Sequence, residues 1–234
     1  MTAPAGTGYA RTGRLKTIAV VNQKGGVGKT SIAMNLASIL GLTGRRTVVL
    51  DADPQQSSTR WAAARLDSTG IDVYQLDAER SIDHVAGDLE SIATETGSEF
   101  AVLDCPPELR NAAEVAMLLA DLALIPVTPS PLDIWAAQGA VALAREAQRV
   151  RGNGEPQIAL VPNRLIKGTL MARELPDTLA VLGESVAPSI TERVVIAESA
   201  IIGETLLDYA PASSSHGEFV ALSRFVMRLL DVES

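Results

Sequence analysis

Residues 23–31, Gln-Lys-Gly-Gly-Val-Gly-Lys-Thr-Ser, constrain this chain more than any other stretch. They follow the apolar, β-branched run Thr17–Asn22 and precede a helical pattern of Ile32, Leu36, Ile39 and Leu40. A glycine-rich turn between a strand and a helix lets successive backbone N–H groups point inward and cradle a polyphosphate, helped by the positive end of the helix. Lys29 is placed to reach the β- and γ-phosphates, and the Thr30 hydroxyl is suited to ligating Mg²⁺. A purely structural turn would not need Gly-Lys-Thr, and a dinucleotide-binding turn would need G-x-G-x-x-G, a spacing that is absent.

The rest of the chain supplies the sheet such a loop requires. Strands are expected at Thr17–Asn22, Thr47–Asp51, Asp72–Leu76, Phe100–Asp104, Leu122–Val127, Gln157–Val161 and, more weakly, Ser185–Ile190. Most are continuous apolar runs, the pattern of parallel strands covered on both faces. Helices are expected near 30–42, 56–66, 81–95, 110–119, 133–151, 169–182, 194–202 and 216–230. Repeated β-α-β units imply an α/β fold, a doubly wound and mostly parallel sheet flanked by helices. Residues 1–16, carrying Arg11, Arg14 and Lys16, read as a flexible tail, and 17–234 as one domain.

Two strands end in carboxylates. Val48-Val49-Leu50 runs into Asp51-Ala52-Asp53-Pro54-Gln55-Gln56, which brings two acids to the sheet edge beside the phosphate loop. One of them could orient an attacking water, or Asp53 could cap the helix that follows. Phe100–Leu103 ends in Asp104, placed to hold Mg²⁺ through water. Cys105 is the one cysteine, so no disulfide or multi-cysteine metal cage forms within the chain; with no histidine nearby in sequence it reads as a small buried filler. His84 and His216 read as packing residues.

Composition narrows the classes further. Hydrophobic residues make up 47% and aromatic residues 3%, which suits a globular chain and not a broad stacking platform for single strands. The net charge of −8 disfavours a wholly basic nucleic-acid coat but leaves a local basic patch open. No apolar run approaches the roughly 18 residues of a membrane span, and the start lacks the apolar segment of a signal peptide, so a cytoplasmic location is expected.

Lys24 has no role in ordinary phosphate-loop mechanics. With it, the loop resembles the deviant Walker A motif, Lys-Gly-Gly-x-Gly-Lys-Thr, of the ParA/MinD family of dimerising ATPases. The resemblance extends to Cys105-Pro106-Pro107, which looks like the family's switch II, and to the proline-rich 125–133. It also takes in 189–200 with Gly203 and Tyr209-Ala210-Pro211, and so covers nearly the whole chain from residue 17. Short, plasmid-type ParA proteins are the most similar subgroup, since sixteen leading residues cannot form the helix-turn-helix domain of longer partition ATPases.

The resemblance implies ATP and Mg²⁺ as ligands. It implies nucleotide contacts from Lys24, Gly25, Gly26, Val27, Gly28, Lys29, Thr30 and Ser31. Catalytic roles fall to Lys29, to Asp53 in switch I and to Lys24, which reaches across a face-to-face homodimer to the partner's nucleotide. Metal contacts fall to Thr30 and Asp104, with Asp51 in support. Asn163, in Val161-Pro162-Asn163-Arg164, is either an adenine contact or a turn residue.

The implied activity is ATP-dependent dimerisation, non-specific binding to double-stranded DNA, and hydrolysis stimulated by a ParB-like or centromere-binding partner. That cycle would segregate a plasmid or chromosome on the nucleoid. Arg164, Lys167, Arg173 and Arg193 are the foremost DNA-contact candidates, with Arg224 and Arg228 behind them. Glu192 and Glu204 stand where better-known DNA-binding relatives are basic. Two alternatives are a ParA-like ATPase positioning a protein cargo and a MinD-like membrane-associated ATPase of division-site selection. The second needs a basic amphipathic C-terminal helix, whereas 217–234 carries a net charge of −1 and reads as docked on the core.

Overall fold

The computed structural model describes residues 15–66, 70–107 and 111–232. All seven strands join one parallel sheet. In chain order they are β1 (Lys16–Val20), β2 (Thr47–Asp51), β3 (Asp72–Gln75), β4 (Phe100–Asp104), β5 (Leu122–Val127), β6 (Gln157–Pro162) and β7 (Ser185–Val186). Across the sheet the order is β3-β2-β4-β1-β5-β6-β7, so the chain reverses its winding direction at β1. Open α/β sheets bind ligands at the carboxyl ends of strands flanking such a switch point.

Side chains alternate across the sheet and build two cores. Ile18 and Val20 of β1, with Val102 of β4 and Leu124 of β5, pack against α1 (Lys29–Gly41) and the last helix, α9 (Ser214–Leu229). Ala19 and Val21, with Leu50, Leu103 and Ile125, face α3 (Ile82–Thr96), α4 (Asn111–Leu119), α5 (Pro131–Arg151) and α6 (Leu170–Ala180). The apolar stripe of α9 is docked: Phe219, Leu222, Val226 and Met227 are buried in the same cluster as Ile32, Leu36 and Leu40 of α1. No helix among the described residues is long and apolar enough to cross a membrane.

The local causes of these elements are readable. Pro131 opens α5, where its fixed φ suits the first turn, and Gly152 closes it in the left-handed conformation. Thr169 caps α6 by accepting from the Ala172 N–H, and Ser213 caps α9 by accepting from that of His216.

Several boundaries differ from expectation. Lys16, assigned to the tail, opens β1 because its N–H bonds Glu99 O (2.8 Å) and its Cα pairs with Phe100; residues 1–14 lie outside the described residues, as does residue 110 of the expected helix 110–119. The helix expected at 56–66 is α2 (Ser57–Ala63), begun by a left-handed Gln56 and not capped by Asp53. β7 stops at Val186: Ala187 still donates to Leu160 O, but the next bond to β6 comes from Ile190, to Pro162 O, three residues on where a regular parallel ladder steps by two. α7 (Val194–Ile201) is followed by a one-turn α8 (Leu206–Tyr209) that periodicity did not suggest.

Candidate nucleotide site

The loop between β1 and α1 has the backbone of a phosphate cradle. Gly26 and Gly28 have φ of 77° and 90°, values that L side chains rarely adopt. A Cβ on Gly28 would lie 2.4 Å from Asn163 Nδ2, so the glycine also admits a close neighbour. That neighbour braces the loop: buried Asn163 donates from Nδ2 to Val27 O at 2.7 Å. On the other side Asn22, fully buried, accepts from the Lys24 N–H through Oδ1 (3.0 Å) and donates from Nδ2 to Pro126 O (2.7 Å). The loop is therefore pinned to the ends of β5 and β6 by two amides.

A cavity of about 500 Å³ opens over this loop. Gly25, Gly26, Gly28, Lys29, Thr30, Ser31, Asp53 and Asn163 line its floor, while Ile190, Ile196, Ala200 and Phe219 form an apolar wall. Polar donors at one end and apolar surface at the other suit a phosphate chain and a base.

Asp104 lies beneath the cradle and is 1% exposed. Its Oδ2 accepts from Ser58 Oγ at 2.6 Å, and nearby Thr30 favours its charged form. Burial, with a smaller contribution from Asp51, pushes it up to about 6 against the opposing Ser58, Thr30 and Lys29 contacts. Its Oδ1 is buried and has no hydrogen-bond partner among the described residues. A buried carboxylate oxygen left open beside a threonine hydroxyl fits a hydrated divalent cation. Among the described residues no group of three or more His, Cys, Asp or Glu side chains could hold a metal by itself. A Mg²⁺ here would depend on substrate phosphates as well, as this ion usually does.

Asp51 is placed differently from a direct ligand. Its Oδ2 accepts from both the N–H and the hydroxyl of Thr59 at 2.8 Å each, and its Oδ1 from the Asp53 N–H at 3.2 Å. It ties α2 to the sheet. Asp53 makes a tight turn by accepting from the Gln55 N–H (2.8 Å), and it reaches the cavity. Burial lowers the pKa of Lys29, a shift that the nearby Asp104 carboxylate opposes most strongly. Cys105 is fully buried, and burial followed by Asp104 pushes its thiol well up, so it stays protonated as a filler.

The two lysines of the loop face different spaces. Lys29 lines the nucleotide cavity and donates from Nζ to Lys24 O (3.2 Å). Lys24 lines a neighbouring hollow, where its ammonium pairs with Asp133 Oδ1. The four foremost DNA candidates also divide. Arg164 donates to Gly26 O (2.8 Å) and pairs with Glu192 (2.5 Å), and Arg193 pairs with Glu218 (3.4 Å); both line the nucleotide cavity. Lys167 and Arg173 are exposed.

Sequence reasoning missed Ser58, Asn22, Asp133 and Glu218. Glu218 of α9 accepts from the N–H and hydroxyl of Thr191 (2.9 and 2.7 Å), which fixes the loop that forms the apolar wall. Nothing local marks these residues, because each acts on a partner distant in the chain.

A glycine cradle at a sheet's switch point, a buried lysine and a buried acid beneath it define a P-loop nucleotide-binding protein. The chain belongs to the CobQ/CobB/MinD/ParA nucleotide binding domain family, which it matches over residues 18–206. It is similar to the Maintenance of carboxysome distribution protein A of Halothiobacillus neapolitanus, with 32% identity over 193 residues, 80% of this chain and 83% of the relative. It is also similar to the chromosome partitioning protein ParA of Caulobacter vibrioides, with 27% identity over 254 residues, 91% and 94% of the two chains. Its fold matches the septum site-determining protein MinD of Pyrococcus horikoshii, solved with Mg-ADP. There the TM-score is 0.72 at 21% identity, covering 92% of this chain and 97% of that one.

Proposed function

We propose that this chain is a Mg²⁺-dependent ATPase of the partition type, which dimerises on ATP, binds DNA without sequence preference, and hydrolyses ATP when a ParB-like or centromere-binding partner engages it. The observation that carries this reading is the division of labour between the two lysines. Lys29 lies in its own chain's cavity, while Lys24, on the same loop, lies outside it and is left to serve a nucleotide presented by a second copy. The glycine cradle holds the phosphate chain, Thr30 and Asp104 offer the oxygens that would hold Mg²⁺, and Asp53 orients the attacking water. When bound, Mg²⁺ would neutralise charge developing on the phosphates. Asp51 supports the site by fixing α2, and Asn163 by bracing Val27 beside the base.

Segregation of a plasmid or chromosome is the first cargo reading, with the protein distributed over the nucleoid. Positioning of a protein assembly is the second, and the similarity to a protein named for carboxysome distribution favours it specifically. The membrane reading is the weakest, since α9 spends its apolar stripe on α1. The test is ATP turnover by purified protein with and without Mg²⁺, compared with Lys29→Ala. Mg²⁺-dependent release of phosphate that Lys29→Ala lacks is the expected result; equal release by the two proteins would overturn the proposal.

A further inference from the structure

We infer that Asp133 is the positioning residue for Lys24, and that their ion pair governs how readily this lysine serves a second copy of the chain. The inference rests on the dimer reading above and deepens it. The two partners are unequal. The Asp133 side chain is 4% exposed and that of Lys24 is 41% exposed. Asp133 lies in the first turn of α5, where the positive end of the helix favours a carboxylate. Its Oδ2 accepts from the Thr128 hydroxyl, while its Oδ1, buried and without a hydrogen-bond partner among the described residues, is ion-paired with the Lys24 ammonium. Removing the lysine leaves a buried anion without its counter-charge, which is strongly unfavourable. The acid is thus the fixed half of the pair and the lysine the movable half.

The main chain of Lys24 is held from both sides, while among the described residues its ammonium is held by Asp133 alone. Asn22 Oδ1 accepts from its N–H, and its carbonyl accepts from Lys29 Nζ. Phosphates drawn to Lys29 compete with that carbonyl, so nucleotide capture loosens the segment that bears Lys24. The pair also fixes direction. It occupies the hollow formed with Thr128, Pro129 and Ile166, and Lys24 does not line the cavity that takes its own chain's nucleotide. A lysine parked in this way must leave Asp133 to act in trans, and the pair opposes dimer closure by the free energy needed to part it.

The experiment uses the Asp53→Ala protein, which should hold ATP unhydrolysed, with and without Asp133→Asn. Two quantities are measured: the dimer dissociation constant in ATP by analytical ultracentrifugation, and the rate at which an amine-reactive reagent labels Lys24 in nucleotide-free protein. With Asp133→Asn, Lys24 labelling should speed up severalfold and the dimer constant should fall on the order of tenfold. Asp133→Glu, which keeps the charge, should restore both toward the parent. Unchanged labelling, or faster labelling with an unchanged or weaker dimer, overturns the inference. Should Asp133→Asn fail to fold, labelling in the parent decides: Lys24 should react more slowly than exposed Lys167, and equal rates overturn the pair as a restraint. A parent that labels Lys24 slowly yet never dimerises in ATP removes the dimer reading itself, and the gating role with it.

Discussion

Asp104 is kept in a state that works against the fold. A carboxyl with an ordinary value near 3.8 that is raised to about 6 by burial is favoured when protonated, so its charged form weakens the folded chain. The penalty is absent below about pH 4 and grows as pH rises through the window to 6. It is then fully present, with a ceiling of about 3 kcal/mol. Asp104→Asn should therefore raise the thermal midpoint of the nucleotide-free protein at pH 7.5 in chelator, and the gain should fade as pH falls toward 4. The same variant should lose Mg²⁺-dependent turnover. Asp53 is half-buried in a polar turn, and the role proposed for it lies in the reaction alone. Asp53→Ala should keep ATP affinity near wild type while slowing hydrolysis by about 10²- to 10⁴-fold, measured by single-turnover kinetics.

At the scale of elements, the loop and its two amide braces behave as one unit. Gly28→Ala would place a methyl against Asn163 Nδ2 and force a β-carbon into a left-handed backbone. It should cost about 1–3 kcal/mol in denaturant unfolding and abolish retention of a fluorescent ATP analogue. A variant that bound the analogue normally would show that the brace is dispensable.

The loop itself, β2, β4 and β5 were legible in the sequence because continuous apolar runs and a strand–glycine–helix order are local signals. The short α8 was not, since one turn of helix has no periodicity to display. Nor was the truncation of β7, where the bonds to β6 step by three residues from Ala187 to Ile190 and the regular ladder is lost. The long-range contacts of the site were illegible for a different reason: Ser58 meets Asp104 from 46 residues away, and Arg164 meets Gly26 from 138. Such contacts exist only once the sheet closes. The basic residues show the same limit, because sequence alone could not reveal that Arg164 and Arg193 face acidic partners in the nucleotide cavity.

For the whole molecule, net charge and symmetry set the conditions for binding DNA. A chain of net charge −8 should repel DNA as a monomer, so binding needs a patch doubled by dimerisation. The ATP-trapped Asp53→Ala protein should bind two unrelated duplexes equally, with affinity falling together as salt rises, and Lys167→Ala with Arg173→Ala should flatten that salt slope. Binding to one duplex alone would contradict the non-specific reading. The central claim is that one subunit's Lys24 completes its partner's site, and the most direct test is the ATP turnover per subunit as a function of protein concentration. The specific rate should climb with concentration until the dimer saturates, and should stay low and flat for Lys24→Ala. A wild-type specific rate that stays constant from dilute to concentrated protein, matched by Lys24→Ala, would contradict it.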